Sequence, residues 1–175
     1  MALGGMAKIE KEAEIKVRWI PWEGRPEGVP FLESTPEEAE QRLAKHRVLA
    51  GKYGMTLIFP QNKCRTRRAH QATLFARDQG RMEAYRNAVY SARFHEDKNI
   101  ADPEVLISLG EKIGLDGQAL REALEGETYA AGLDGLREQG ISLGVDGTPT
   151  YIVDRQKFHG VDETEAILET LKKRQ

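Results

Sequence analysis

The sequence holds one cysteine, Cys64, in 175 residues. A lone cysteine excludes an intramolecular disulfide and any cysteine-rich zinc site. The four histidines, His46, His70, His95 and His159, are scattered and include no pair at helical i, i+4 spacing. The sequence therefore offers no ligand set for a structural metal. Long apolar runs are missing too, since nothing approaches the roughly 18 consecutive apolar residues of a membrane-spanning helix. The first stretch, MALGGMAKIEKEAEIKV, meets charge at Lys8 and lacks the continuous apolar core of a signal peptide. Charged residues make up 31% of the chain but sum to a formal net charge of -2. Such a balance creates no global field toward nucleic acid or a membrane surface. These absences together lead us to expect a cytoplasmic protein without metal, nucleic-acid or membrane partners. A chain of 175 residues is one domain, or a core carrying an insertion, and can bury an apolar core without cross-links.

What is present has a readable order. Residues 6–14 are helix-compatible, with Met6, Ile9 and Ala13 on one side. In EIKVRWIPW, Ile15, Val17 and Trp19 alternate with Lys16 and Arg18, which predicts a half-buried strand ending at Pro21. EGRPEGVPF, with two prolines and two glycines, is a loop. Thr35, Pro36 and Glu38 have the arrangement of a capping box with proline at the first helical position. That helix is expected to reach Tyr53 and stop at Gly54. MTLIFP is a short apolar connection. The helical period resumes from about Thr66 to Asp78, with Ala69, Ala72, Phe75 and Ala76 on one side, and again after Gly80. Asp102 and Pro103 cap another helix, and two more fall near 116–125 and 127–140.

The last segment changes character. TPTYIVD is β-branched and aromatic, and KFHG is its candidate hairpin partner across DRQ. VDETEAILETLKK then starts a helix, with Asp162 as its expected cap, Glu165 in the capping-box position and Val161 stapling to Ala166. The ladder of strand, helices, two strands and helix is α/β with a helical insertion. No internal repeat or low-complexity segment interrupts it.

That order resembles the DsbA-like thioredoxin superfamily, in particular its FrnE-type branch, which is related to 2-hydroxychromene-2-carboxylate isomerase. VRWIPWEGRPEG resembles the family's second strand and following loop. CRTRRAHQATLFARDQGR and NIADPEVLISLGEKIGLD resemble two helices of its insertion. GVDGTPTYIVD, FHG and VDETEAILETLKK resemble the thioredoxin C-terminal half. The resemblance implies a thioredoxin-like core at 1–32 and 141–175 and an all-helical insertion at 33–140. It also implies a cis Thr148–Pro149 bond, and a substrate-binding edge at Gly147, Thr148 and Pro149. The isomerisation cost of an X-Pro bond is small, about 0.5–1 kcal/mol, and a cis bond there leaves Thr148 free to pair with a guest strand.

The family's first strand and C-x-x-C motif have no counterpart in this sequence. Three arrangements are consistent with that: a longer native polypeptide, a strand supplied by a second copy in a homodimer, or a domain that has left redox chemistry. Cys64, flanked by Lys63, Arg65, Arg67 and Arg68 near a helix start, has surroundings that favour thiolate. By resemblance it belongs to the insertion, which makes it a structural residue before a catalytic one. His70, six residues on, is off the face of Cys64. His159 reads as a surface or packing residue, and Trp19 and Trp22 as packing residues around Pro21.

Three functions follow. One is a protein thiol–disulfide oxidoreductase, inactive as this chain, acting on protein or peptide thiols. Another is an isomerase or transferase using glutathione, resembling 2-hydroxychromene-2-carboxylate isomerase or the kappa-class transferases. The third is a non-catalytic peptide-binding module.

Overall fold

The computed structural model describes residues 2–31, 33–54, 58, 60 and 63–173. Most of the MTLIFP connection lies outside them. The chain divides into two compact units, one formed by Met1–Trp19, Ser34–Thr56 and Gly144–Gln175, the other by Ile20–Glu33 and Leu57–Leu143.

The first unit contains helices α1 (Ala2–Glu12), α2 (Pro36–Lys52) and α8 (Thr164–Lys172), with strands β1 (Thr150–Val153) and β2 (Gln156–His159). Met6 and Ile9 of α1 and Ile167, Leu168 and Leu171 of α8 form its buried core. Val17, Trp19, Tyr151, Val153 and Phe158 pack against that core. β1 and β2 form an antiparallel hairpin in which Thr150 faces His159 and Val153 faces Gln156. The turn is the pair Asp154–Arg155, both at positive φ (49° and 71°). Positive φ at both central residues is the I′ geometry that matches strand twist.

α2 begins as its sequence dictates. Thr35 accepts from the Glu38 amide, and the Glu38 carboxylate accepts in turn from the Thr35 amide at 2.8 Å. Its far end turns inward: Ala50 is buried, the Tyr53 ring lies against Gly4, and the Tyr53 hydroxyl is 3.0 Å from Thr164 Oγ1.

The helical unit holds α3 (Arg67–Asp78), α4 (Met82–Phe94), α5 (Pro103–Lys112), α6 (Gly117–Glu125) and α7 (Ala130–Ser142). Ala69, Ala72, Phe75 and Ala76 form the buried stripe of α3, as the periodicity predicts. They pack with Tyr85, Val89, Leu106 and Leu120 into one apolar core. The Tyr85 hydroxyl, inside this core, donates to the Leu106 carbonyl at 3.0 Å, and burial raises its pKa. Asp102 caps α5 through the Glu104 amide, and Asp116 caps α6 through the Ala119 amide. No strand occurs in this unit among the described residues.

Some local expectations differ from the structure. Residues 15–19 form no ladder. Val17 and Trp19 do turn toward the core, but Ile15 is 40% exposed, and the Val17 amide donates to Glu10 Oε1 rather than to a strand. A strand needs a paired neighbour, and among the described residues β1 pairs with β2 alone. The α8 cap is not Asp162, because the helix starts at Thr164 with no side-chain cap. Thr164 is buried under Tyr53, and Glu165 is drawn to Lys8 at 2.5 Å, which holds its carboxyl below the usual carboxylate range.

The division into units also places two segments differently from the sequence-based boundaries. Ser34–Thr56 groups with the chain ends and Ile20–Glu33 with the helices. Side chains explain both, since Tyr53 ties α2 to α1 and α8 while a pair of arginines ties 20–33 to α3.

Candidate functional site

The arginines come from the start of α3. Arg65 donates to the carbonyls of Arg25, Pro26 and Val29, at 3.2, 3.1 and 2.7 Å, and its guanidinium lies over the Phe31 ring. Arg67 bridges Glu23 at 2.9 Å and Asp134 at 2.8 Å. Those two acidic hydrogen bonds raise the Arg67 pKa further and lower that of Asp134. Glu23 is fully buried. Trp22 donates its indole N–H to the Arg137 carbonyl at 3.2 Å and rests on Gly140, where a β-carbon would meet the indole nitrogen at 2.5 Å. Arg65 and Arg67 thus anchor the loop before Glu33.

Cys64 sits in the same unit, three residues before α3, partly buried against the helical core. Gly147, Thr148 and Pro149 belong to the other unit. His70 is held neutral, its pKa lowered by burial to about 4. Among the described residues no three His, Cys, Asp or Glu side chains converge as a metal would require.

The candidate docking edge is built by the hairpin. Thr148–Pro149 is cis, and Pro149 leads directly into β1. The Gly160 amide donates to the Pro149 carbonyl at 3.0 Å, which extends the ladder one step beyond β1. Antiparallel pairing alternates, so the backbone groups of 149, 151 and 153 face β2 while those of 148, 150 and 152 face the opposite side. Side chains alternate as well. Tyr151 and Val153 pack inward, while Thr150 and Ile152, with Lys157 and His159 from β2, occupy the outer face.

Two residues of this outer face were not singled out by sequence reasoning as parts of the site. Thr150 donates its hydroxyl to the Gly147 carbonyl at 2.7 Å and lies 3.3 Å from His159 Nδ1. His159 Nδ1 is 3.5 Å from Asp146 Oδ1, and its ring lies so close to Gly147 that a β-carbon there would meet Cε1 at 2.7 Å. The expected DRQ turn is in fact the two-residue turn Asp154–Arg155, and this register puts His159 opposite Thr150. Lys157 adds a further tether, donating to the Gly144 carbonyl at 2.6 Å.

Comparison with known proteins agrees with this architecture. The family model of the DSBA-like thioredoxin domain matches residues 2–172. Protein YwbO of Bacillus subtilis, itself uncharacterized, is 30% identical over 148 residues, 82% of this chain and 74% of its own length. The 2-hydroxychromene-2-carboxylate isomerase of Sphingobium xenophagum is 32% identical over 114 residues, covering 65% of this chain and 57% of the isomerase. Among solved structures, a 2-hydroxychromene-2-carboxylate isomerase shares the fold at TM-score 0.78 and 22% identity, over 99% of this chain and 87% of its own. A "probable DsbA oxidoreductase" from Streptomyces coelicolor does so at TM-score 0.72 and 23% identity, over 80% of this chain and 62% of its own. The chain thus spans less than two thirds of the Sphingobium isomerase and of the Streptomyces protein. No helix among the described residues is long and apolar enough to cross a membrane. With the family match running from α1 through α8, this chain belongs to the DSBA-like thioredoxin domain family, with a thioredoxin-like α/β fold and a helical insertion.

Proposed function

We propose that the chain carries the substrate-docking part of a DsbA-like thiol–disulfide oxidoreductase, and that an extended peptide bearing a thiol or disulfide pairs with the outer edge of β1. One observation carries this reading: the register of the hairpin turns the backbone groups of Thr148, Thr150 and Ile152 away from β2. An exposed edge of this kind takes a guest strand through main-chain hydrogen bonds. Gly147, Thr148 and Pro149 would hold the residue beside the reacting sulfur. With one cysteine, the chain binds such a substrate without completing a dithiol–disulfide cycle. A cytoplasmic setting, where Cys64 stays reduced, is part of the proposal.

The test removes the edge and spares the hairpin. In Ile152→Pro the lost N–H is one that faces away from β2, a position where an edge strand tolerates proline. Affinity for a fluorescent, unstructured peptide with one cysteine is expected to fall at least about tenfold, while the far-ultraviolet circular dichroism is kept. Unchanged affinity would sink the edge-docking reading.

A second reading takes a specific observation of its own. The isomerase likeness reaches 32% identity in sequence and 99% of this chain in fold, which supports a glutathione-using isomerase or transferase with glutathione on the same edge. Retention on immobilised glutathione, lost on Thr148→Pro, would favour it over the peptide reading.

A further inference from the structure

We propose that Asp146, His159 and Thr150 form a relay that positions the Gly147 carbonyl and leaves His159 Nε2 as the proton-accepting atom beside the docking edge. The inference rests on that edge being where ligand binds.

The argument is one of proton bookkeeping. A threonine hydroxyl has one proton, and that of Thr150 goes to the Gly147 carbonyl at 2.7 Å. Toward His159 Nδ1, at 3.3 Å, the same oxygen can then only accept. Nδ1 must therefore carry a hydrogen, which also suits the Asp146 carboxylate at 3.5 Å. A neutral imidazole with its proton on Nδ1 has its lone pair on Nε2. The side chain is 51% exposed, so solvent and ligand reach this ring. Packing against Gly147 fixes where the ring stands, because the space a β-carbon would take is filled by Cε1. Of the charged groups nearby, Asp146 faces the ring, and Lys157, on the same hairpin face, is turned to the Gly144 carbonyl.

The relay defines a chemical task. When a thiol such as that of glutathione docks at Thr148–Pro149, its S–H bond breaks, an Nε2–H bond forms, and thiol plus imidazole become thiolate plus imidazolium. The new cation is balanced by the thiolate on one side and by Asp146 on the other. Nothing is oxidised or reduced, and no co-reactant is needed. Protonating Nε2 leaves the Nδ1 hydrogen in place, so the Gly147 carbonyl keeps its position throughout the transfer.

Two measurements test this. Nitrogen-15 imidazole spectra of the chain at alkaline pH are expected to show the hydrogen on Nδ1 and to switch toward Nε2 in Asp146→Asn and Thr150→Val. An Nε2-protonated ring in the unchanged protein would overturn the relay whether or not any ligand binds. Second, the thiolate absorbance of glutathione bound to the chain, followed against pH, should titrate about one unit below free glutathione. In His159→Gln it should match the free thiol. An equal thiol pKa in both proteins would remove the proton-accepting role. If the unchanged chain does not bind millimolar glutathione or the cysteine peptide, the docking reading fails, and the spectra alone decide the relay.

Discussion

Trp19 and Trp22 stand three residues apart and belong to different bodies. Trp19 packs beside the five buried residues of α1 and α8, while Trp22 rests on Gly140 and bonds to the Arg137 carbonyl in the helical unit. The core of the helical unit, with fifteen buried residues among those described, draws on α3, α4, α5 and α6. The smaller core is formed by two helices and one face of a hairpin, which leaves the hairpin's other face outside that core. Apolar burial dominates one unit, and the other keeps backbone groups open at the cost of a thinner core.

The two tryptophans make that division measurable, because Trp22→Phe leaves a reporter of the small unit and Trp19→Phe a reporter of the helical one. The largest effect is expected at Arg67. Replacing it with methionine strands the fully buried Glu23 carboxylate and should cost about 4 kcal/mol in urea unfolding read from Trp22. The double change Arg67→Met with Glu23→Gln should recover most of that loss. An intact transition in Arg67→Met alone would mean the anchor of the 20–33 loop lies elsewhere.

Leu120→Ala comes next. Leu120 is fully buried against the other helices, and its truncation is expected to cost about 3 kcal/mol. If the units unfold independently, the Trp22 transition moves and the Trp19 transition stays. A common shift would show that the units unfold together and that the contrast is one of architecture alone.

The smallest effect is a pH dependence at His70. Its folded pKa of about 4 lies below the ordinary 6.5, so the unfolded chain binds the proton more readily. The stabilisation is complete above pH 6.5 and is lost as the pH falls toward 4. Because the imidazole is partly open to solvent, roughly 2 kcal/mol is expected from that titration. The difference between the protein and His70→Gln, measured from Trp22 at several pH values, isolates it. A difference independent of pH would remove His70 as its source.

Much of this molecule is legible in single segments. The capping box at Thr35 and Glu38, the Asp102–Pro103 start and the alanine stripe of α3 are local patterns, and each has its predicted place; the hairpin forms as well, but with Gln156 in β2 rather than in the turn. The errors fall where a local pattern has two uses. Alternation at 15–19 is a strand signal, but a strand exists only where another chain segment supplies paired amides and carbonyls, and Glu10 takes the Val17 amide instead. Asp162 is a good cap by type, yet the buried Thr164 contact with Tyr53 marks where α8 begins.

The candidate site divides in the same way. Gly147, Thr148 and Pro149 were candidates because GVDGTPTYIVD resembles the family's C-terminal half. His159 and Asp146 gave no such signal, because their meaning depends on residues thirteen apart being folded back onto one hairpin face.

The sequence by itself determined the helices, the caps at Thr35 and Asp102, the presence of a hairpin and the family, since these rest on periodicity, side-chain type and order, all carried by neighbouring residues. The tertiary structure alone decided that Arg65 and Arg67 anchor the 20–33 loop, that Cys64 packs against the helical core, and that Thr150 and His159 share the Gly147 turn. Those outcomes depend on which distant groups meet in space, and a buried charge or a single hydroxyl proton finds its partner only after the backbone has brought it there.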